Sequence, residues 1–542
     1  MSDRRPMSLT RILVRNIASS WAGYGAQVIV AFALTPYILG SLGQTRYGIW
    51  ALALGLTGYY GLLDLGLGAG ITQYLTRYLA VKDYKSLNAA ASTGVVALTS
   101  VGALVLLVSV AIAFNASSLF RIPSGSATEV AMVIAITGAS VGLQFAFFTY
   151  SAVLTALQRF DVSNGIGIAT RLLSALATVL CLKLGYGLVG LSIVMAGTNV
   201  VDYLLRWRAA TRLIPAMKVS PTLANRRHFG EAMEFGLWNI AIAGSVRLIS
   251  YTDSLVIAAF MPVAAVAPFA IAANLRTYFE EIFVRVGYVF FPVATKLDAE
   301  GDRNRLKVLY LVSSKLMFLG SICCGAIAMC WAGNFFRLWI GAFYAEPAGY
   351  PTVTTLFSLL LLGSIVGVAQ RIGYQVLVSI RRIRLLAILF AVEGLSNLAI
   401  SLALVRSYGL LGVALGTLLP AVVVQGVLQP MFVCRSLDIS CRTYCRQVLL
   451  RPGLVGVVLI PFLLTFWVIS PVIDWPALLL WASLSGVLMI PLVVGIGLER
   501  SERDLLMQSV SVVFSTRKGP LAQRRVVEPA SASSRPVVGP DS

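Results

Sequence analysis

Eight charged side chains stand inside long apolar runs of this sequence, where burial makes an unpaired charge expensive. They are Arg247, Arg276, Arg285 and Arg371, and Asp253, Glu280, Glu281 and Glu393. A guanidinium in such a place suits a pyrophosphate, because it donates paired, charge-assisted hydrogen bonds in a fixed fork. Arg247 has no acid within helical reach and is the first candidate for binding an anion. The alternative for it is an ion pair with an acid on a neighbouring segment. Arg276/Glu280 and Glu281/Arg285 are each four residues apart, so each can pair along one helix. At 100° per residue the two pairs point about 140° apart. One of them can face a cavity while the other ties the helix to a neighbour. Asp253 and Glu393 are lone acids, suited either to balancing an arginine or to carrying a coupling proton. Asp64 is a further gating candidate, with helix capping as its alternative. Arg371, near a segment end, is expected to extend its cation toward the interface.

The elements that must hold these groups follow from composition. Of 542 residues, 58% are hydrophobic and 12% charged, about half the charged share of a soluble globular protein. The balance of 43 Lys and Arg over 23 Asp and Glu is spread between apolar runs. A nucleic-acid-binding face would gather it in one place. The chain reads as an all-α polytopic membrane protein.

A helix crosses the hydrocarbon core with about 20 apolar residues. That rule gives about fourteen spans: 16–36, 47–68, 89–114, 128–150, 166–184, 187–206, 234–261, 266–291, 309–332, 352–375, 385–405, 408–432, 453–470 and 477–498. With both chain ends on the cytoplasmic side, 34 of the 43 cations fall in cytoplasmic segments, as the positive-inside rule requires. Residues 207–233 form a central cytoplasmic loop, and 499–542 a cytoplasmic tail expected to be disordered after about 513. No cysteine falls in an outer loop and no metal-ligand spacing occurs, so neither a disulfide nor a metal site is expected.

The chain repeats itself. Tyr186-Gly187-Leu188-Val189-Gly190 matches Tyr408-Gly409-Leu410-Leu411-Gly412 at an offset of 222, and Leu157–Phe160 matches Ser379–Arg382 at the same offset. Lys82–Leu87 matches Gly301–Leu306 at 219. Six spans per unit is an even number, so the repeats 1–206 and 234–433 enter the membrane from one side and are parallel. Transporters built this way bind substrate between the halves. Spans 13 and 14, residues 453–498, lie outside the repeat. An offset of 220 sets Arg247 of span 7 opposite Gln27 of span 1, as two polar groups facing one cavity. Trp21, Tyr24, Trp238 and Tyr251 on the same two spans can stack on sugars or pack between helices.

The opening carries a more specific pattern: Pro36-Tyr37-Ile38-Leu39-Gly40-Ser41-Leu42-Gly43, Tyr47-Gly48-Ile49-Trp50 and Leu63-Asp64-Leu65-Gly66-Leu67-Gly68. This resembles the polysaccharide-transporter (Wzx-type) branch of the multidrug/oligosaccharidyl-lipid/polysaccharide (MOP) flippases. The resemblance implies two six-helix bundles in a V around a central cavity, with two further helices. It implies flipping of an undecaprenyl-pyrophosphate-linked oligosaccharide to the outer leaflet of a bacterial inner membrane, without a cofactor. Membrane lipids, and polysaccharide polymerase or export proteins, are the implied partners, and nucleic acid is not. Two other functions compete. A cation-coupled drug exporter of the same fold needs an unpaired acid in its cavity, and a polysaccharide polymerase or ligase usually has a large outer loop. No hydrolase, metalloprotease or P-loop motif occurs, so no catalytic residue is assigned.

Overall fold

The computed structural model describes residues 9–499, apart from 65, 124 and 470–473, together with 503. The expected tail after 499 and residues 1–8 lie outside the described residues. Among those described there is no β-strand, and nearly all are helical. Ten stretches are long and apolar enough to cross a membrane. Two are too long to cross once. Ala18–Asp64 has 47 residues and Ile383–Ser436 has 54, about 70 and 80 Å of helix at 1.5 Å per residue, against a core of about 30 Å. Each breaks at a glycine of positive φ, Gly43 at 74° and Gly409 at 55°, so each takes in two of the expected spans. Val266–Tyr288 carries the eighth span with all four of its charges, and Arg451–Ile469 the thirteenth.

Connections at equivalent repeat positions have the same local geometry. Lys82 and Gly301 both have positive φ, and the next residues, Asp83 and Asp302, cap the following helices. Asp83 accepts from Ser86 N and Asp302 from Arg305 N, each at 3.0 Å. Each cap supplies an acceptor that the first turn of a helix lacks. Gln158 and Arg381 likewise share positive φ, and Arg159 and Arg382 start the next helices. That pairing shifts the expected register by one residue, from 222 to 223, because the turn geometry and not side-chain likeness sets the match. The central loop is also shorter than expected. Helices run on to Leu213 and start again at Arg226, since a helix need not stop where the membrane does.

Packing differs between the two ends of the fold. At the end holding the turns near Gly43, Gly187, Met261 and Gly409, residues of both halves share one core, including Leu39, Ile134, Val266, Phe357 and Val413. At the end nearer the amino terminus each half has its own core, Leu75 and Val153 in one and Tyr310 and Val376 in the other. Spans 13 and 14 join span 9 through Leu319, Val455 and Met489. The halves therefore share a core at the first end, called distal, and have separate cores at the other, where contacts between them include spans 1/8 and 2/7.

Three contacts close the distal end. Arg121 N donates to Ala258 O at 2.9 Å and Arg121 O accepts from Val263 N at 3.2 Å. Gln44 Nε2 donates to Ala264 O at 3.3 Å. The third involves Pro36. A proline has no N–H to give the carbonyl four residues earlier, so Phe32 O is left free within its helix. The indole of Trp339, from the other half, donates to it at 2.8 Å and stacks on the Phe32 ring at 4.9 Å.

That contact generates a test. Trp339→Phe keeps an aromatic ring on Phe32 but orphans the carbonyl, at a cost of about 1–3 kcal/mol for a buried acceptor. Thermal unfolding of the detergent-solubilised protein is expected at a lower temperature, and unchanged stability would show the indole bond to be dispensable.

Candidate functional site

Span 7 lies between three cavities, and the site begins with how near it comes to span 2. Gly55, Gly58 and Gly61 of span 2 face Ser254, Tyr251 and Arg247 of span 7, and Gly48 faces Val263 in the turn that follows it. A β-carbon on Gly58 would fall 2.5 Å from the Tyr251 ring, and one on Gly61 would fall 2.7 Å from Arg247 Nη2. Small residues allow such approach between membrane helices. The helix of span 2 ends at Tyr60, and last-turn carbonyls lack intrahelical partners. Arg247 Nη1 donates to one of them, Gly58 O, at 3.0 Å. Its guanidinium carbon lies 5.7 Å from the Tyr251 ring centroid.

Arg247 therefore meets a helix end and a ring. Among the described residues it has no ion pair within 4 Å. It lines a cavity of about 360 Å³ in the amino-terminal half. Apart from Arg247 the walls there are uncharged and mixed: Thr137, Ser140 and Gln144 from span 4 and Asn199 from span 6 stand among apolar residues such as Leu54, Val141 and Met195. Gln27 does not join Arg247. It is exposed and lines none of the three cavities. Repeat equivalence relates positions across the pseudo-axis, whereas span 7 packs against span 2, and so the expected pair does not form.

A second cavity, of about 460 Å³, lies between the halves toward the distal end. Tyr47 and Trp50 of span 2, Asp253 of span 7 and Arg276 and Tyr278 of span 8 line it. A narrower one of about 90 Å³ sits within the carboxy-terminal half and is lined by Arg276, Glu280, Arg371, Glu393 and Gln425. Glu280 is its hub. Glu280 Oε1 lies 3.2 Å from Arg276 Nη1 and accepts from Ser364 Oγ at 2.5 Å, and Oε2 lies 3.4 Å from Arg371 Nη2. Arg371 thus turns inward to Glu280 instead of reaching the interface, because a carboxylate on span 8 is within its reach. Glu393 Oε1 accepts from Gln425 Nε2 at 2.5 Å.

The second pair of span 8 faces elsewhere. Arg285 bonds Glu281 at 2.9 Å and covers Tyr24 and Trp21 of span 1, its guanidinium carbon 4.3 and 5.8 Å from their ring centroids. Two cation–π contacts thus tie span 8 to span 1. The Trp238 side chain lies outside the described residues.

Asp253 and Asp64 have different neighbours. Asp253 is buried, and Oδ2 accepts from Thr417 Oγ1 at 2.8 Å; Asn397 Nδ2 donates to the same hydroxyl at 3.0 Å. Asp253 Oδ1, Asn397 Oδ1 and Ser401 Oγ are each buried with no hydrogen-bond partner among the described residues. Asp64 Oδ1 accepts from Gly68 N at 2.9 Å, capping the helix Leu67–Ala80 that follows left-handed Gly66. Capping is the geometry present at Asp64, and among the described residues it forms no ion pair within 4 Å.

Several polar residues were missed because the sequence reading searched for charge. Thr137, Ser140 and Gln144 follow 3,4 spacing, the repeat of one helical face, and that spacing was the available signal. Arg171 sits within the helix Phe160–Lys183 and donates to Gly23 O at 3.1 Å. The helix begins at Phe160, several residues before the expected span.

No family model matches the chain. A relative from Shigella flexneri named "Putative O-antigen transporter" is 20% identical over 405 residues, 74% of this chain and 93% of its own length. "Uncharacterized membrane protein EpsK" of Bacillus subtilis is 21% identical over 453 residues, 81% of this chain and 86% of its own length. The lipid II flippase MurJ in an inward closed conformation superposes with a TM-score of 0.62 at 13% identity, covering 88% of this chain and 100% of that structure. An inward-facing multidrug resistance MATE transporter of the MOP superfamily superposes with a TM-score of 0.58 at 18% identity, covering 76% and 99%. The chain shares the fold of these solved membrane transporters. The polysaccharide-transporter resemblance of the opening segment agrees with the relatives found by sequence.

The Glu280 hub predicts strong coupling. Removing one partner of a buried ion pair costs about 3–5 kcal/mol, because it strands the other charge. Glu280→Gln is expected to lower thermal stability sharply, and Glu280→Gln combined with Arg371→Gln to lower it by less than the sum of the two single changes. Additive losses would contradict the hub.

Proposed function

We propose that the protein flips an undecaprenyl-pyrophosphate-linked oligosaccharide, a polysaccharide precursor, from the inner to the outer leaflet of a bacterial inner membrane. The observation that carries this reading is Arg247, a cation within the bundle that makes no ion pair within 4 Å among the described residues and lines a cavity with uncharged walls. A pyrophosphate is the ligand chemistry that such a guanidinium serves well. Arg276 supplies a second cation between two of the cavities, held in place by Glu280. Transport proceeds by alternating access: residues 1–206 and 234–433 rock about the distal core, and spans 13 and 14 ride with span 9. With both chain ends cytoplasmic, the distal end is the outer one, so the arrangement described here is closed to the outside.

No nucleotide is required. Moving an anionic headgroup outward across an inside-negative membrane gains about 2.3 kcal/mol per charge per 100 mV. Asp253, buried and with one oxygen unpartnered among the described residues, is the place where a coupling proton or cation would act. Glu393 is engaged by Gln425 and serves structure first. A polymerase or export protein would take the glycan afterwards.

Arg247→Gln tests the reading. Arrival of the lipid-linked glycan in the outer leaflet is expected to fall at least about tenfold, the equivalent of one charge-assisted hydrogen bond. Undiminished flux in correctly inserted protein would remove Arg247 from the site.

A further inference from the structure

The cavity beside Arg247 has a chemistry of its own. Its volume, about 360 Å³, falls within the range of small-ligand sites and suits the first sugars rather than a whole glycan. Its walls hold no charge except Arg247 at one edge, whereas the carboxy-terminal cavity is narrow and crossed by ion pairs.

The hydrogen bonds already made by the walls decide what they can still offer. Thr137 Oγ1 donates to Val133 O at 2.8 Å, and Asn199 Nδ2 donates to Ser140 Oγ at 3.0 Å. These donors are turned toward the protein itself. The lone pairs of Thr137 and Asn199 Oδ1 remain for a ligand, and a hydroxyl or amide oxygen can accept more than one bond. Gln144 is exposed to the cavity and has no hydrogen-bond partner among the described residues. Its amide can both donate and accept. Tyr251, at the edge shared with the central cavity, presents a ring of the sort on which a sugar face packs.

Neutral donors and acceptors suit sugar hydroxyls, and with Arg247 committed to a pyrophosphate the wall leaves a carboxylate without a cation to pair with. A pyrophosphate on Arg247 would have its lipid on one side and its first sugar on the other. We propose that the cavity between spans 4 and 6 is a subsite for an uncharged sugar next to the pyrophosphate, and that it selects against an acidic sugar there. This rests on the flippase reading above, and it adds that Gln144 and Asn199 determine specificity.

The experiment uses the full-length protein in liposomes and three polyisoprenyl-pyrophosphate lipids: without sugar, with one neutral hexose, and with one hexuronic acid. Leaflet transfer is measured for each. Wild type is expected to favour the neutral-hexose lipid over both others by about tenfold. Gln144→Leu, which breaks no described bond, is expected to bring the ratio of neutral-hexose to sugar-free transfer close to one, and Asn199→Leu serves as the second variant. Ratios unchanged in both variants, or equal transfer of neutral and acidic lipids by wild type, would overturn the subsite while leaving the flippase reading intact. If wild type moved none of the three lipids, the flippase reading would fall and the subsite with it.

Discussion

The approach of span 7 to span 2 is the contact on which the rest of the site depends. Without β-carbons at Gly58 and Gly61, the two helices come close enough for Arg247 to reach the carbonyl of Gly58. That carbonyl is free because the helix of span 2 stops at Tyr60 and tightens into the 3₁₀ turn Gly61–Asp64. A cation at a helix carboxyl end is favourable in itself, so the guanidinium is held there with no direct ion pair among the described residues, and Asp64 is near enough to feel its charge. An acid in that place would hold Arg247 equally well and would cancel the attraction for an anion.

Charge is divided around span 7 with the same economy. In the carboxy-terminal half, Glu280 lies between Arg276 and Arg371 and binds span 8 to span 10. At the other face of span 8, Arg285 binds to span 1 through two aromatic rings. The amino-terminal half offers neutral polar side chains to its cavity instead. The ion pairs of the amino-terminal half, such as Arg206 with Asp202, lie away from that cavity's lining. The distal end closes over both through Arg121, Gln44 and the Trp339 bond to Phe32 O. These bonds lie over the apolar core that the two halves share at that end.

Much of the fold was legible in the sequence because bilayer thickness dictates span length, and the repeat fixed the sense of the two halves. The two i,i+4 pairs of span 8 were also readable, since helical geometry alone brings those residues together. What depends on packing between distant segments was not. Gln27 and Arg247 are equivalent in the repeat yet do not meet, because equivalence does not say which span lies against which. Arg371 turns to Glu280 for a reason that only the neighbouring helix supplies. The uncharged cavity wall was overlooked because Thr, Ser, Gln and Asn are common in membrane helices, and only their spacing on one face marks them.

The central claim, that an anionic lipid-linked glycan occupies the cavities around Arg247, is tested most directly by native mass spectrometry of lipids that co-purify with the protein. The account predicts a bound polyisoprenyl-pyrophosphate carrying sugar, displaced when Arg247 is replaced by Gln. Protein that retains only ordinary phospholipids, or that binds small organic cations in place of a pyrophosphate lipid, would contradict it.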